Sequence, residues 1–141
     1  PEERWKSIMN VLKDFVGSVI TVDDALAVPD AVSREVDNCI SKVHTADFVS
    51  FLSRAYLDWV VQGCDPDFTD ANQYLVPYHF PQRLAFGPCQ NKVYRNIGYY
   101  CTDTTTPLGE NTFQMAKLAA TVSVRAVQAL SQGICQVAYA C

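Results

Sequence analysis

Residues Phe113–Ala138 read FQMAKLAATVSVRAVQALSQGICQVA, and Lys117 and Arg125 are the only charges among them. Apolar and small side chains go almost all the way round at helical spacing. A helix of that kind is normally interior. Thr106-Pro107 ahead of it supplies a cap and a proline for the first helical position. The stretch therefore predicts a long C-terminal helix buried at the centre of an all-α fold. Lys117 and Arg125 interrupt its hydropathy, so it does not read as a membrane span.

Three helices precede it. In residues 3–20, Trp5, Ile8, Met9, Leu12, Phe15, Val16, Val19 and Ile20 recur at steps of three and four, with Lys6, Lys13 and Asp14 opposite. A capping signal at Thr21 and Asp24 predicts a short turn over residues 23–28. Residues 30–43 carry Val32, Val36, Cys39, Ile40 and Val43 on one face. Residues 46–62 carry Phe48, Phe51, Leu52, Ala55, Tyr56, Trp59 and Val60. These two stripes do not join in one register, because Asp47 falls where the first would continue. A break at His44-Thr45 follows, with Thr45 as the N-cap of the third helix and Gly63 as its C-cap.

From Cys64 to Pro107 the pattern is lost. The stretch holds five of the seven prolines and most of the tyrosines. A short helix near Asp70–Leu75 is expected, and Lys92–Tyr100 reads equally as helix or strand. Tyr74, Tyr78, Phe80, Phe86, Tyr94, Tyr99 and Tyr100 crowd into 27 residues, either as a secondary core under a long loop or as a contact surface.

Six cysteines, Cys39, Cys64, Cys89, Cys101, Cys135 and Cys141, are spread over two thirds of the chain. Even number and wide spacing suit three disulfides and an oxidising compartment, hence a secreted protein. Cys89 with Cys101 is the one local pairing expected, and the other four would tie the second and third helices to the last. Closely paired cysteines of the zinc type are missing. Cys64 and Cys89 are separated by 24 residues and Cys135 and Cys141 by five, which matches neither insect odorant-binding proteins, nor elicitins, nor saposin-like proteins.

At 141 residues and 15.7 kDa the chain fits one domain with a core of its own. Folding would bury about two thirds of its surface. The net charge of −4, with scattered Lys and Arg, leaves no footprint for nucleic acid. The chain opens on Pro1-Glu2-Glu3-Arg4-Trp5, so a secreted form would have lost its signal peptide.

No constellation for chemistry emerges. The acidic run from Asp65 to Asp70 lacks the glycine and glutamate of a calcium loop. His44 and His79 are the two histidines; neither sits beside an aspartate as phospholipase A2-type chemistry requires, and no serine lies in a nucleophile elbow. The expectation is a secreted, non-enzymatic binding protein without metal or cofactor, with a hydrolase using His79 as a further alternative. It would carry a lipid or fatty acid against Phe15, Phe51, Tyr56, Trp59, Tyr78, Phe80 and Tyr99. The competing reading is an extracellular protein-interaction or self-associating structural module, a possible homo-oligomer, without a cavity.

Overall fold

A computed structural model describes residues 2–15, 29–64, 74–77, 92–101 and 104–140. Among them are five helices: α1 (Glu2–Phe15), α2 (Asp30–Val43), α3 (Ala46–Val61), α4 (Val93–Tyr100) and α5 (Thr112–Ser131). The described residues are all-α, with one antiparallel bridge among them, between Leu75 and Leu108. The expected turn over residues 23–28, residues 16–20 of the first helix and most of the short helix near Asp70 lie outside the described residues. None of the described helices is long and apolar enough to cross a membrane.

The chain divides into two compact units, Ile40–Met115 and the pair of segments Pro1–Cys39 and Ala116–Cys141. In the first, α3 and α4 pack side by side. The α3 stripe predicted from its periodicity turns Ala55 and Trp59 inward, each 1% exposed, against Val93, Ile97, Leu75 and Leu108. Phe51, Leu52 and Tyr56 pack on the edge of this cluster. Leu75 and Leu108 exchange backbone hydrogen bonds of 2.9 and 2.8 Å. The bridge also draws the chain in tightly at Gly109, where a Cβ would meet the Tyr74 ring at 2.6 Å.

That bridge explains why α5 begins at Thr112 and not at Pro107. With Leu108 committed to Leu75, residues 106–109 stay extended and the helix opens one turn later, its Thr112 hydroxyl accepting from the Gly109 N–H at 2.8 Å.

Both α3 and α5 end the same way. After α3, the Gly63 N–H donates to Val60 O and the Cys64 N–H to Trp59 O; after α5, Gly133 donates to Leu130 O and Ile134 to Ala129 O. These paired bonds, with Gly63 at φ 94° and Gly133 at φ 71°, are Schellman terminations. The C-terminal helix thus stops at Ser131, short of the Ala138 expected, because Gly133 takes a left-handed conformation that other residues resist.

In the second unit, α2 buries Val36 completely and pairs with α5 through Asp37–Lys117 at 2.6 Å and Gln128 donating to Glu35 at 2.6 Å. Thr121, 6% exposed, lies between these two contacts on α5 and returns its hydroxyl to the Lys117 carbonyl at 2.9 Å. It is the only buried residue of α5. The C-terminal helix is therefore not the buried centre that its apolar composition predicts. The tightest core belongs to α3 and α4.

The disulfide-stapled picture is corrected as well. Among the described residues no disulfide joins any of Cys39, Cys64, Cys101 and Cys135, and Cys39, Cys64 and Cys135 carry free thiols. Cys89 and Cys141 lie outside the described residues. Geometry accounts for two of the absent pairs. Cys64 follows α3 at the end where α4 begins, while Cys101 follows α4 at its far end. A helix of 8 residues separates them, about 12 Å, and a disulfide needs Cα atoms within roughly 7 Å. Cys39 is exposed on α2 near the Asp37–Lys117 pair, whereas Cys135 lies beyond the other end of α5, roughly 20 Å of helix away.

Two measurements check this account. Gly63→Ala or Gly133→Ala meets no steric obstacle, so each should lower stability only by the left-handed penalty, about 1–2 kcal/mol, in denaturant titration. Alkylation under denaturing conditions without reductant should label Cys39, Cys64 and Cys135; an unlabelled Cys39 in the mass spectrum would reinstate a staple.

Candidate functional site

The antiparallel α3–α4 pair is pinned at both ends by polar contacts. At one end Gln62 Oε1 accepts from the Val93 N–H at 3.0 Å, satisfying one of the donors left open at the start of α4. At the other, the Tyr100 hydroxyl donates to Asp47 Oδ2 at 3.3 Å across 53 residues of sequence. This second end gathers the most chemically distinctive side chains of the described residues.

Asp47 sits there because Thr45 starts the helix. Thr45 adopts the extended N-cap conformation, φ −69° and ψ 149°, yet its hydroxyl makes no capping bond to the backbone. It bonds the Asp47 carboxylate instead, and the Phe48 N–H and Tyr100 hydroxyl add to it. The Thr45 bond foremost, with these others, holds the Asp47 carboxyl below its ordinary 3.8 against the opposing effect of desolvation. Tyr100 shifts the other way. Burial first, then the neighbouring Asp47 charge, pushes its hydroxyl above the ordinary 10.0. At neutral pH the pair is a carboxylate and a neutral phenol, a charge-assisted bond.

Aromatic rings surround the pair. Phe51 stacks on Tyr100 with centroids 4.5 Å apart, Phe48 lies 6.0 Å from Tyr100, and the His44 ring lies 5.3 Å from Phe48. Tyr99 meets Tyr100 edge-on at 4.9 Å. Tyr100 is buried, while His44 and Asp47 are exposed. The result is a carboxylate at the surface with aromatic faces beside it. Among the described residues no group of three or more His, Cys, Asp or Glu is placed to hold a metal ion.

The seven residues expected to line a ligand fare differently. Phe51, Tyr56, Trp59 and Tyr99 all fall on α3 and α4. Trp59 is a core residue, and Tyr56 packs against it at 5.8 Å. Phe15 ends α1; Tyr78 and Phe80, with His79, lie outside the described residues. Sequence reasoning noted Asp47 only as the break between two helices and Tyr100 only as one ring of a crowded loop. The local signal for Asp47 was its place two residues after an N-cap threonine. Nothing local identifies its partner.

Two matches to curated proteins bear on function. The chain is 28% identical over 94 residues to acetylpolyamine amidohydrolase 2 of Pseudomonas aeruginosa and 30% identical over 94 residues to acetylpolyamine amidohydrolase 1 of the same organism. These cover 67% and 65% of this chain. The chain spans about a quarter of the length of these relatives, 25% of each. No family model matches the chain, and no solved structure matches it.

These matches overturn the expectation of a non-enzymatic binding protein. Both relatives are hydrolases by name, and neither a lipid carrier nor an extracellular interaction module agrees with that. Trp59, one of the residues expected to line a ligand, is instead part of the core at 1% exposure.

The Asp47–Tyr100 pair generates a pH prediction. The Asp47 pKa is depressed on folding, so its stabilisation is present above the unfolded value and is lost as pH falls through the folded one. The Tyr100 pKa is raised, so its contribution is full below the unfolded value and is lost as pH climbs through the folded one. The unaltered protein should therefore lose stability above about pH 10, and Tyr100→Phe should flatten that loss. An unchanged alkaline limb in thermal melts would show that Tyr100 does not titrate through this contact.

Proposed function

We propose that the protein is part of an amide hydrolase that removes an acyl group from N-acetylated amines of the polyamine kind. The observation that carries this reading is the twofold match to acetylpolyamine amidohydrolases over about two thirds of the chain. In such a reaction water adds to the amide carbonyl, the C–N bond breaks, and acetate and a free amine leave.

The chemistry of the described surface supports a cationic substrate. A polyamine carries ammonium groups, and the chain has a net charge of −4, which raises the local concentration of cations. The Asp47 carboxylate beside the Phe48 and His44 rings offers charge together with an aromatic face, the combination that an ammonium group takes. In this reading Asp47 and Phe48 hold the charged tail of the substrate, away from the amide that is cleaved.

The test is to incubate the protein with an N-acetylated diamine and to measure acetate and free amine together. Equimolar release of both is expected; release of neither at high enzyme concentration would sink the proposal. A neutral N-alkylacetamide separates tail recognition from bond cleavage. Asp47→Asn and Phe48→Leu should each raise KM severalfold for the charged substrate and leave the neutral one unaffected. Equal effects on both substrates would remove Asp47 and Phe48 from substrate binding.

A further inference from the structure

The outward face of α5 is used neither by the fold of its unit nor by the proposed substrate site. Lys117, Thr121 and Gln128 occupy one side of this helix, turned toward α2 through the Asp37 and Glu35 contacts. On the opposite side, Ala116, Ala119, Ser123, Val127 and Leu130 fall in a single stripe at steps of three and four, and all five are exposed. Val127 is 65% exposed and Leu130 41%, and Ile134 continues the line past the helix end at 69%. The stripe runs for about 21 Å and contains no charged residue. Solvent-facing sides of helices normally carry the charge, and a contiguous apolar strip is rare on a finished surface.

The relatives have chain enough beyond the match to cover it. The match takes up 25% of each amidohydrolase, so about three quarters of each relative lies outside it. We propose that the Ala116–Ile134 stripe is an internal packing surface, covered in the working enzyme by the remaining polypeptide of the amidohydrolase body, through an apolar, uncharged face. The inference rests on the hydrolase reading above. Alanines at 116 and 119 let a neighbouring backbone approach closely at one end, and Val127 and Leu130 supply apolar area at the other. Charge on the covering face would be left unpaired against this stripe and is excluded on that ground.

The test uses the protein purified whole from its natural source, with Ala119→Cys and Val127→Cys as reporters and Glu110→Cys as the exposed control. Peptide-level mass spectrometry follows alkylation at each position, so the native thiols do not interfere. The two reporters should react about tenfold or more slowly than the control in the folded protein, and equally fast after denaturation. Hydroxyl-radical footprinting of Val127 and Leu130 in the unaltered protein gives the same comparison without substitution. Reporters as reactive as the control would overturn the proposal. Protection lost on dilution, with a mass of two copies in light scattering, would overturn it in favour of a second copy as the cover. Acetate release from the same samples separates the two readings. Hydrolysis without protection defeats the packing surface alone, and protection without hydrolysis defeats the hydrolase reading and this identity for the cover.

Discussion

Burial of Trp59 against Ile97, Val93 and Leu75 is the contact on which the Ile40–Met115 unit depends. A tryptophan buries roughly 150–250 Å², more than any other side chain in this cluster, and at 1% exposure almost all of its surface is used. The ring fixes where α4 lies on α3, and the polar ties at the two ends of the pair then acquire their geometry. One cost remains inside. The Trp59 indole nitrogen is buried without a hydrogen-bond partner, a penalty that apolar burial must exceed. Trp59→Phe would keep most of the ring and remove that orphaned donor.

Local patterns in the sequence specify the helices well. The α2 boundaries, the Thr45 start of α3 and the Gly63 stop follow from periodicity and from residues with special backbone preferences. Failures arise where a distant partner decides. Leu108 is drawn into a bridge with Leu75, so Pro107 does not start a helix, and no local signal announces that. Gly133 was legible as a stop, but the apolar residues beyond it masked the break. The burial of α5 was misjudged for a related reason. Composition reports that a face is apolar, and it cannot report whether the cover lies within the same unit.

The cysteines show the same limit. Their number and spacing match those of a stapled secreted domain, yet pairing is a matter of distance, and Cys64 and Cys101 sit at opposite ends of α4. The candidate site was partly visible: Asp47 disrupts a stripe and follows a capping threonine. Its partner Tyr100 comes from 53 residues away, among several tyrosines that sequence alone does not rank. Function was not legible from these residues at all. The proposed function rests on likeness to two longer hydrolases, and only that proposal gives the acidic, aromatic corner at Asp47 a chemical role.

The two ends of the α3–α4 pair differ in how much chain they enclose, and this bears on the order in which the unit assembles. Gln62 and Val93 are 31 positions apart, whereas Asp47 and Tyr100 are 53 apart, so the shorter loop is nested within the longer one. Closing a loop costs entropy that grows only slowly with length, and it is spent once. After the inner end has met, propagation of eight residues of α4 along α3 brings Tyr100 to Asp47 with little further search. On loop closure alone the Gln62–Val93 end is the cheaper of the two to bring together, and the Asp47–Tyr100 contact closes after it at little added cost.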